Sequence, residues 1–128
     1  MDASLYNPPF PVLHEDNHLL VIEKPAGILS QSDESERPDV LTLARAYIKE
    51  KYAKPGDVYL GLVHRLDSPV GGVMILARTS KAASRLSDAF RKRTVHKTYL
   101  ALLERPPEPP AGRLEDRLRK NERQRRAE

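Results

Sequence analysis

The sequence predicts a single globular core of short strands and two helices, followed by a tail with little to pack. Three observations carry this. With 128 residues, 39% of them hydrophobic, the chain holds enough apolar surface for one domain and too little for two. Apolar residues alternate or run in short blocks over 12–23, 58–63 and 73–77, but recur at helical spacing over 40–52 and 79–92. Composition then changes after Leu103, where Arg105-Pro106-Pro107-Glu108-Pro109-Pro110 opens a stretch almost free of large apolar side chains. Residues 1–104 are therefore read as the core and 105–128 as a Pro-rich linker with a basic, charged tail.

The elements follow in order. Residues 12–23 read as two short strands with the polar Glu15-Asp16-Asn17 step between them, most simply a hairpin. Lys24-Pro25-Ala26-Gly27 ends the second strand, because proline cannot donate to a ladder and glycine permits the turn that follows. The polar, acidic run 30–39 is a loop. Val40, Leu43, Ala44, Tyr47 and Ile48 fall on one helical face, and Asp39 is placed to cap the first turn. Pro55-Gly56 closes that helix, and 58–63 has the content of a buried strand. Residues 73–77 make the next strand. Thr79-Ser80 can cap a second helix with Ala82, Ala83, Leu86, Ala89 and Phe90 as its apolar stripe and Arg85, Asp88, Arg91 and Lys92 outward. Residues 98–103 read as a further strand.

The absence of cysteine excludes disulfides, thiolate metal sites and a cysteine nucleophile. The start Met1-Asp2-Ala3-Ser4-Leu5-Tyr6-Asn7-Pro8-Pro9 lacks the basic and apolar regions of a signal peptide, and no apolar stretch is long enough to span a bilayer. A soluble, cytoplasmic protein with no membrane partner is expected. The formal net charge is +4, unevenly spread: Arg78, Lys81, Arg85, Arg91, Lys92, Arg93 and Lys97 stand against the single acid Asp88 in that window. Such a cluster suits a polyanion, and is equally the outer face of a solvated helix.

His64-Arg65-Leu66-Asp67, followed by Ser68-Pro69-Val70-Gly71-Gly72, puts an imidazole, a guanidinium and a carboxylate on a segment held between two apolar strands. The structural reading is that Asp67 caps a turn and Arg65 pairs with it. The chemical reading is that Asp67 is reactive, adding to an electrophilic carbon or accepting a proton. His64 could be a general base, but a neutral imidazole bonded to backbone is favoured. His14, His18 and His96 have no metal-site spacing.

Three separated motifs bear on that choice. Lys24-Pro25-Ala26-Gly27 after a hairpin, His64-Arg65-Leu66-Asp67 with Gly72 and Ile75-Leu76-Ala77-Arg78, and Lys97-Thr98-Tyr99-Leu100-Ala101 follow in an order and spacing that resemble the RluA-like family of RNA pseudouridine synthases. The resemblance covers nearly everything from 12 to 103. It implies an α+β fold, a mixed and mostly antiparallel sheet flanked by helices, with the N-terminal portion present here. It also implies an isomerase that detaches uracil from ribose in ribosomal or transfer RNA, turns the base and rejoins it through carbon, with no cofactor or metal.

By the same resemblance Asp67 is the catalytic carboxylate, and Arg65 and Tyr99 bind substrate. A uridine must leave the helical stack to reach such a carboxylate, so one group fills the gap and another receives the base. A planar guanidinium at Arg65 can stack and meet phosphate, and Tyr99 offers a flat face to uracil. On its own, Tyr99 reads as a strand aromatic in the core.

The chain departs from the family in two places. Ser68 and Gly71 stand where related sequences often carry a basic residue and a serine. Family members also continue to a later strand, near an HQIR-like run, whose basic residue pairs with the aspartate; no such run occurs here. The expectation is a domain lacking its C-terminal part, an Asp67 without its cationic partner, and exposed sheet edges open to self-association. The alternative to an enzyme is a shortened relative that grips RNA without reacting. A protein-interaction domain with a basic helix is a third reading.

Overall fold

The computed structural model describes residues 7–123 and 126–127. The N-terminal stretch 1–6 and tail residues Gln124, Arg125 and Glu128, on which the sequence expectations also drew, lie outside the described residues. The chain divides into two compact units, Met1–His96 and Lys97–Glu128. Its class is α+β.

The first unit is built on a four-stranded antiparallel sheet in the order β1-β2-β4-β3. The hairpin β1 (Val12–Glu15) and β2 (Leu19–Lys24) forms where alternation places it. Its turn is held by Asp16, whose Oδ1 accepts from the backbone of His18 and Leu19 at 2.7 and 2.8 Å. Those bonds, and the one from His14, hold the exposed Asp16 carboxyl down at about 2. β2 lies in the centre, paired along its length with β4 (Gly72–Ala77) from Leu19↔Ala77 to Lys24↔Gly72.

Helix α1 (Val40–Lys51) is capped by Asp39, whose Oδ2 accepts from Thr42 N at 3.1 Å. Its buried side chains Val40, Ala44, Tyr47 and Ile48 join Leu20 and Ile22 of β2, Met74 and Leu76 of β4, and Phe10, Leu60 and Leu66 in one core. Helix α2 (Ser80–Arg91) is capped by Thr79, accepting from Ala82 N at 3.1 Å. It packs against β3 and β4. A Cβ on Gly61 would stand 2.9 Å from Ala83 Cβ, so the bare glycine is what lets this helix approach. No described helix is long and apolar enough to cross a membrane.

Three expectations are corrected. The strand expected over 58–63 forms only as β3 (Gly61–Leu62), paired Gly61↔Ala77 and Leu62↔Leu76. Before Gly61 its partner is already turning into the α2 cap; after Leu62, the Ile75 N–H that a longer strand would use is taken by the His64 imidazole. The strand expected over 98–103 does not form, and Leu100 and Leu102 are fully exposed. A strand is stable only against a neighbour, and among the described residues of its own unit the only ladder is β5 (Lys120–Asn121) with β6 (Arg126–Ala127). Sequence patterning gave no sign of that short ladder in the charged tail.

The basic cluster is the third. Arg78 turns inward: its side chain is 11% exposed, lies 3.8 Å from Glu15 and stacks at 4.7 Å over the Tyr52 ring. Arg91 and Lys92 both pair with Asp88. The outward face of α2 is less basic than the residue count implies.

Glu15 is the hub that ties β1 to α1. Its carboxylate accepts from Tyr47 Oη at 2.7 Å, Tyr52 Oη at 2.5 Å and Lys51 Nζ at 3.0 Å. Burial pushes its pKa up, but the hydrogen bonds from Tyr52, Tyr47 and Lys51 outweigh this and leave it below the ordinary 4.5. A lowered carboxyl contributes stability that is present above its unfolded pKa and fades as pH falls through the folded one. Glu15→Gln is expected to cost about 2 kcal/mol at pH 7, read from chemical denaturation. The gap between variant and wild type should shrink at pH 3; a gap independent of pH would refute the charge-based account.

Candidate active site

The His64-Arg65-Leu66-Asp67 segment runs between β3 and β4 and is fixed by hydrogen bonds to its backbone and by the side chains of His64 and Leu66. Leu66, 8% exposed, is the anchor: it enters the core, while Arg65 and Asp67 on either side are exposed. Inward Leu66 between outward neighbours is the alternation of an extended segment. The Leu66 main chain is gripped on both sides by Ser30, whose Oγ donates to Leu66 O at 2.6 Å and accepts from Leu66 N at 3.0 Å. Ser30 is itself buried, and its carbonyl accepts from Leu41 N at the start of α1.

A second clamp follows Asp67. Val70 N donates to Asp67 O at 2.9 Å, closing a turn through Ser68 and Pro69. Ser68 O accepts from Gly27 N at 2.7 Å and from Lys24 Nζ at 3.2 Å. Gly27 has φ +91, a backbone that favours glycine, so the turn after β2 can present its N–H to the loop. Gly71 lies against this turn: a Cβ there would stand 3.3 Å from both Lys24 O and Ala26 N. The atypical Ser68 and Gly71 thus sit where the structure uses backbone, a carbonyl at one and a bare Cα at the other.

His64 performs the structural role favoured for it. Its Nε2 accepts from Ile75 N at 3.0 Å, and its ring stacks on Phe90 with centroids 4.7 Å apart and planes at 14°. A nitrogen that accepts a backbone hydrogen bond carries no proton, so this contact fixes the tautomer as Nδ1–H.

Lys24 was missed as a site residue. Only 1% exposed, it donates from Nζ to Pro25 O at 3.0 Å and to Ser68 O at 3.2 Å. Burial pushes its pKa down and the Asp67 charge pulls it part of the way back. The Asp67 charge thus acts on a lysine of β2, a residue other than the later-strand partner that the family resemblance implies. The sequence did hold a sign of it, since Leu20, Ile22 and Lys24 share one parity in β2 and hence one face.

The structure brings Arg65 and Asp67 together on one loop. Tyr99 is 61% exposed, outside any strand, and belongs to the unit Lys97–Glu128. Among the described residues no group of three His, Asp or Glu side chains could hold a metal ion. What the site offers is an exposed carboxylate on a hydrogen-bonded backbone, with a guanidinium two residues before it and a buried ammonium bonded to the carbonyl of the residue after it.

Sequence comparison places this chain, with its carboxylate loop between two strands of an antiparallel sheet packed by two helices, in a class of RNA-modifying isomerases. The profile of the family "RNA pseudouridylate synthase" matches residues 18–128; the chain belongs to this family, in its RluA-like branch. It is 38% identical over 102 residues to ribosomal large subunit pseudouridine synthase D of Xylella fastidiosa, covering 80% of this chain and 30% of that protein. It is 33% identical over 116 residues to the dual-specificity RNA pseudouridine synthase RluA of Escherichia coli K12, covering 88% and 50%. The solved structure of human RNA pseudouridylate synthase domain containing 4 superposes with a TM-score of 0.56 at 30% identity, over 66% of this chain and 30% of that one. The chain thus spans between 30% and 50% of the length of these proteins.

Proposed function

We propose that this chain carries the reactive loop of an RNA pseudouridine synthase, which isomerises uridine to pseudouridine in ribosomal or transfer RNA in the cytoplasm. The observation that supports it most directly is the double backbone clamp on an exposed Asp67, by Ser30 before it and by Gly27 and Lys24 after it. Reactive groups need a fixed position more than they need contacts of their own.

The reaction breaks the bond between uracil N1 and ribose C1′ and forms one between uracil C5 and the same carbon. The base loses its C5 proton and gains one at N1, so nothing is consumed. In this reading Asp67 is the catalytic carboxylate: it adds to the electrophilic carbon or accepts the proton as the glycosidic bond opens. Arg65 binds the flipped nucleotide or fills the space it leaves, and Tyr99 stacks on the base.

The C5 proton supplies the test. RNA labelled with tritium at uridine C5 is expected to release tritium to water with this protein, and the digested product to contain pseudouridine. Salt-dependent binding without release would favour the alternative, a non-catalytic RNA-binding relative.

A further inference from the structure

We propose that the outward face of α2 is a docking surface for the phosphate backbone of RNA, separate from the reactive loop: Lys81, Arg85 and Arg91 meet phosphates beside Ser84 and Ser87, and Asp88 restrains the cations at the end of the helix. The inference rests on reading the chain as a pseudouridine synthase, and names the surface that holds RNA outside the nucleotide at Asp67.

Three observations converge. The first is charge. Lys81, Arg85, Arg91 and the cap residue Lys92 are exposed, with Asp88 the one acid among them. Asp88 pairs with both Arg91 and Lys92, whereas among the described residues Lys81 and Arg85 have no acid partner. One helix face thus keeps an excess of three positive charges. Each ammonium or guanidinium set on a phosphate releases condensed counterions, the main sequence-independent source of nucleic-acid affinity.

The second is the lining. An open groove of about 410 Å³ is bordered by Ser84, Arg85, Ser87, Asp88 and Arg91. Ser84 and Ser87 are exposed, at positions where alanine or glutamate makes a better helix and packing demands nothing. Short hydroxyl side chains let a phosphate come close to the helix and donate to it, while arginines fork onto its oxygens. The lining has none of the aromatic or aliphatic anchors on which a protein partner would seat, so the groove fits a polyanion better than a peptide.

The third is placement. Phe90, next to Arg91, stacks on the His64 ring with centroids 4.7 Å apart. His64 stands three residues before Asp67, and that much chain spans about 10 Å at most. The groove is therefore tied to the reactive motif, close enough for one RNA to lie on both.

A merely solvated helix face predicts something different. Its charges would act only through the net charge of the chain, and removing as many elsewhere would have the same effect.

The test is binding of a fluorescein-labelled RNA hairpin to the full chain, followed by anisotropy over a salt series. Lys81→Gln combined with Arg85→Gln is expected to weaken binding about 10-fold and to flatten the dependence of log affinity on log salt by about 1–2. Asp88→Asn frees Arg91 and Lys92 and is expected to tighten binding about 3-fold. Arg45→Gln combined with Lys49→Gln removes the same charge from exposed positions of α1 and is expected to change affinity less than about 2-fold. All these substitutions lie on outward helix faces, where the fold tolerates them. Equal losses in the two double variants, wild-type affinity in the α2 double variant, no gain in Asp88→Asn, or no binding by wild type at low salt each overturns the proposal. Tritium release is read separately. Its absence in wild type removes the proposed function, while a loss of affinity confined to the α2 double variant still assigns the surface. Release by a wild type whose α2 variants bind equally well keeps the function and removes the surface.

Discussion

Asp67→Asn is expected to reduce tritium release by at least about 1000-fold while the melting temperature stays within about 2 °C of wild type. The two expectations separate because of how the loop is fixed. Asp67 is exposed, and its one bonded contact in the clamp is main-chain: Val70 N to its carbonyl at 2.9 Å. The carboxamide preserves shape and leaves that bond in place, but it neither adds to a carbon nor accepts a proton as a carboxylate does. Asp67→Glu keeps the charge and adds one methylene. Since Ser30, Gly27 and Lys24 hold the backbone on both sides, the loop has little freedom to withdraw and compensate. Glutamate is therefore expected to lose most of the rate as well, about 100-fold. Activity retained in Asp67→Asn would remove Asp67 from the chemistry altogether.

What the sequence made legible divides along the range of the interactions. The hairpin, α1 and α2 were readable because period and caps are local: Asp39 and Thr79 cap the helices they precede, and alternation in β2 sets its inward face. β3 and the segment 98–103 were misjudged because strand length is set by a partner, and apolar content says nothing about whether one is available. Charge misled in the same manner. Arg78 and Lys24 were counted as surface or boundary residues, yet one is folded under the α1 end by Glu15 and Tyr52, and the other is buried beneath the reactive loop. The His64-Arg65-Leu66-Asp67 run was recognisable as a motif. Its support was not, because Ser30 sits in a polar loop that looks solvent-facing and acts only through a bond 36 positions along the chain.

Ser30→Ala is for that reason expected to be the most damaging small substitution in the core. The hydroxyl is the partner of two backbone groups at once, Leu66 N–H and Leu66 C=O, in a region where Ser30 is 6% and Leu66 8% exposed. Alanine removes a single oxygen and leaves both groups unpaired. An unsatisfied buried polar group costs about 1–3 kcal/mol, so the pair gives a loss of about 3 kcal/mol and a melting temperature about 10–20 °C lower. The damage should also reach the chemistry. The orphaned Leu66 groups can be satisfied only if the loop lifts toward water, and that displaces Asp67. At a temperature where the variant remains folded, tritium release is expected to fall about 100-fold, and the backbone amides of residues 65–68 to exchange faster with solvent. A wild-type rate with unchanged exchange at these amides would mean that Ser30 does not hold the loop in place, and the view of a preorganised reactive loop would have to be abandoned.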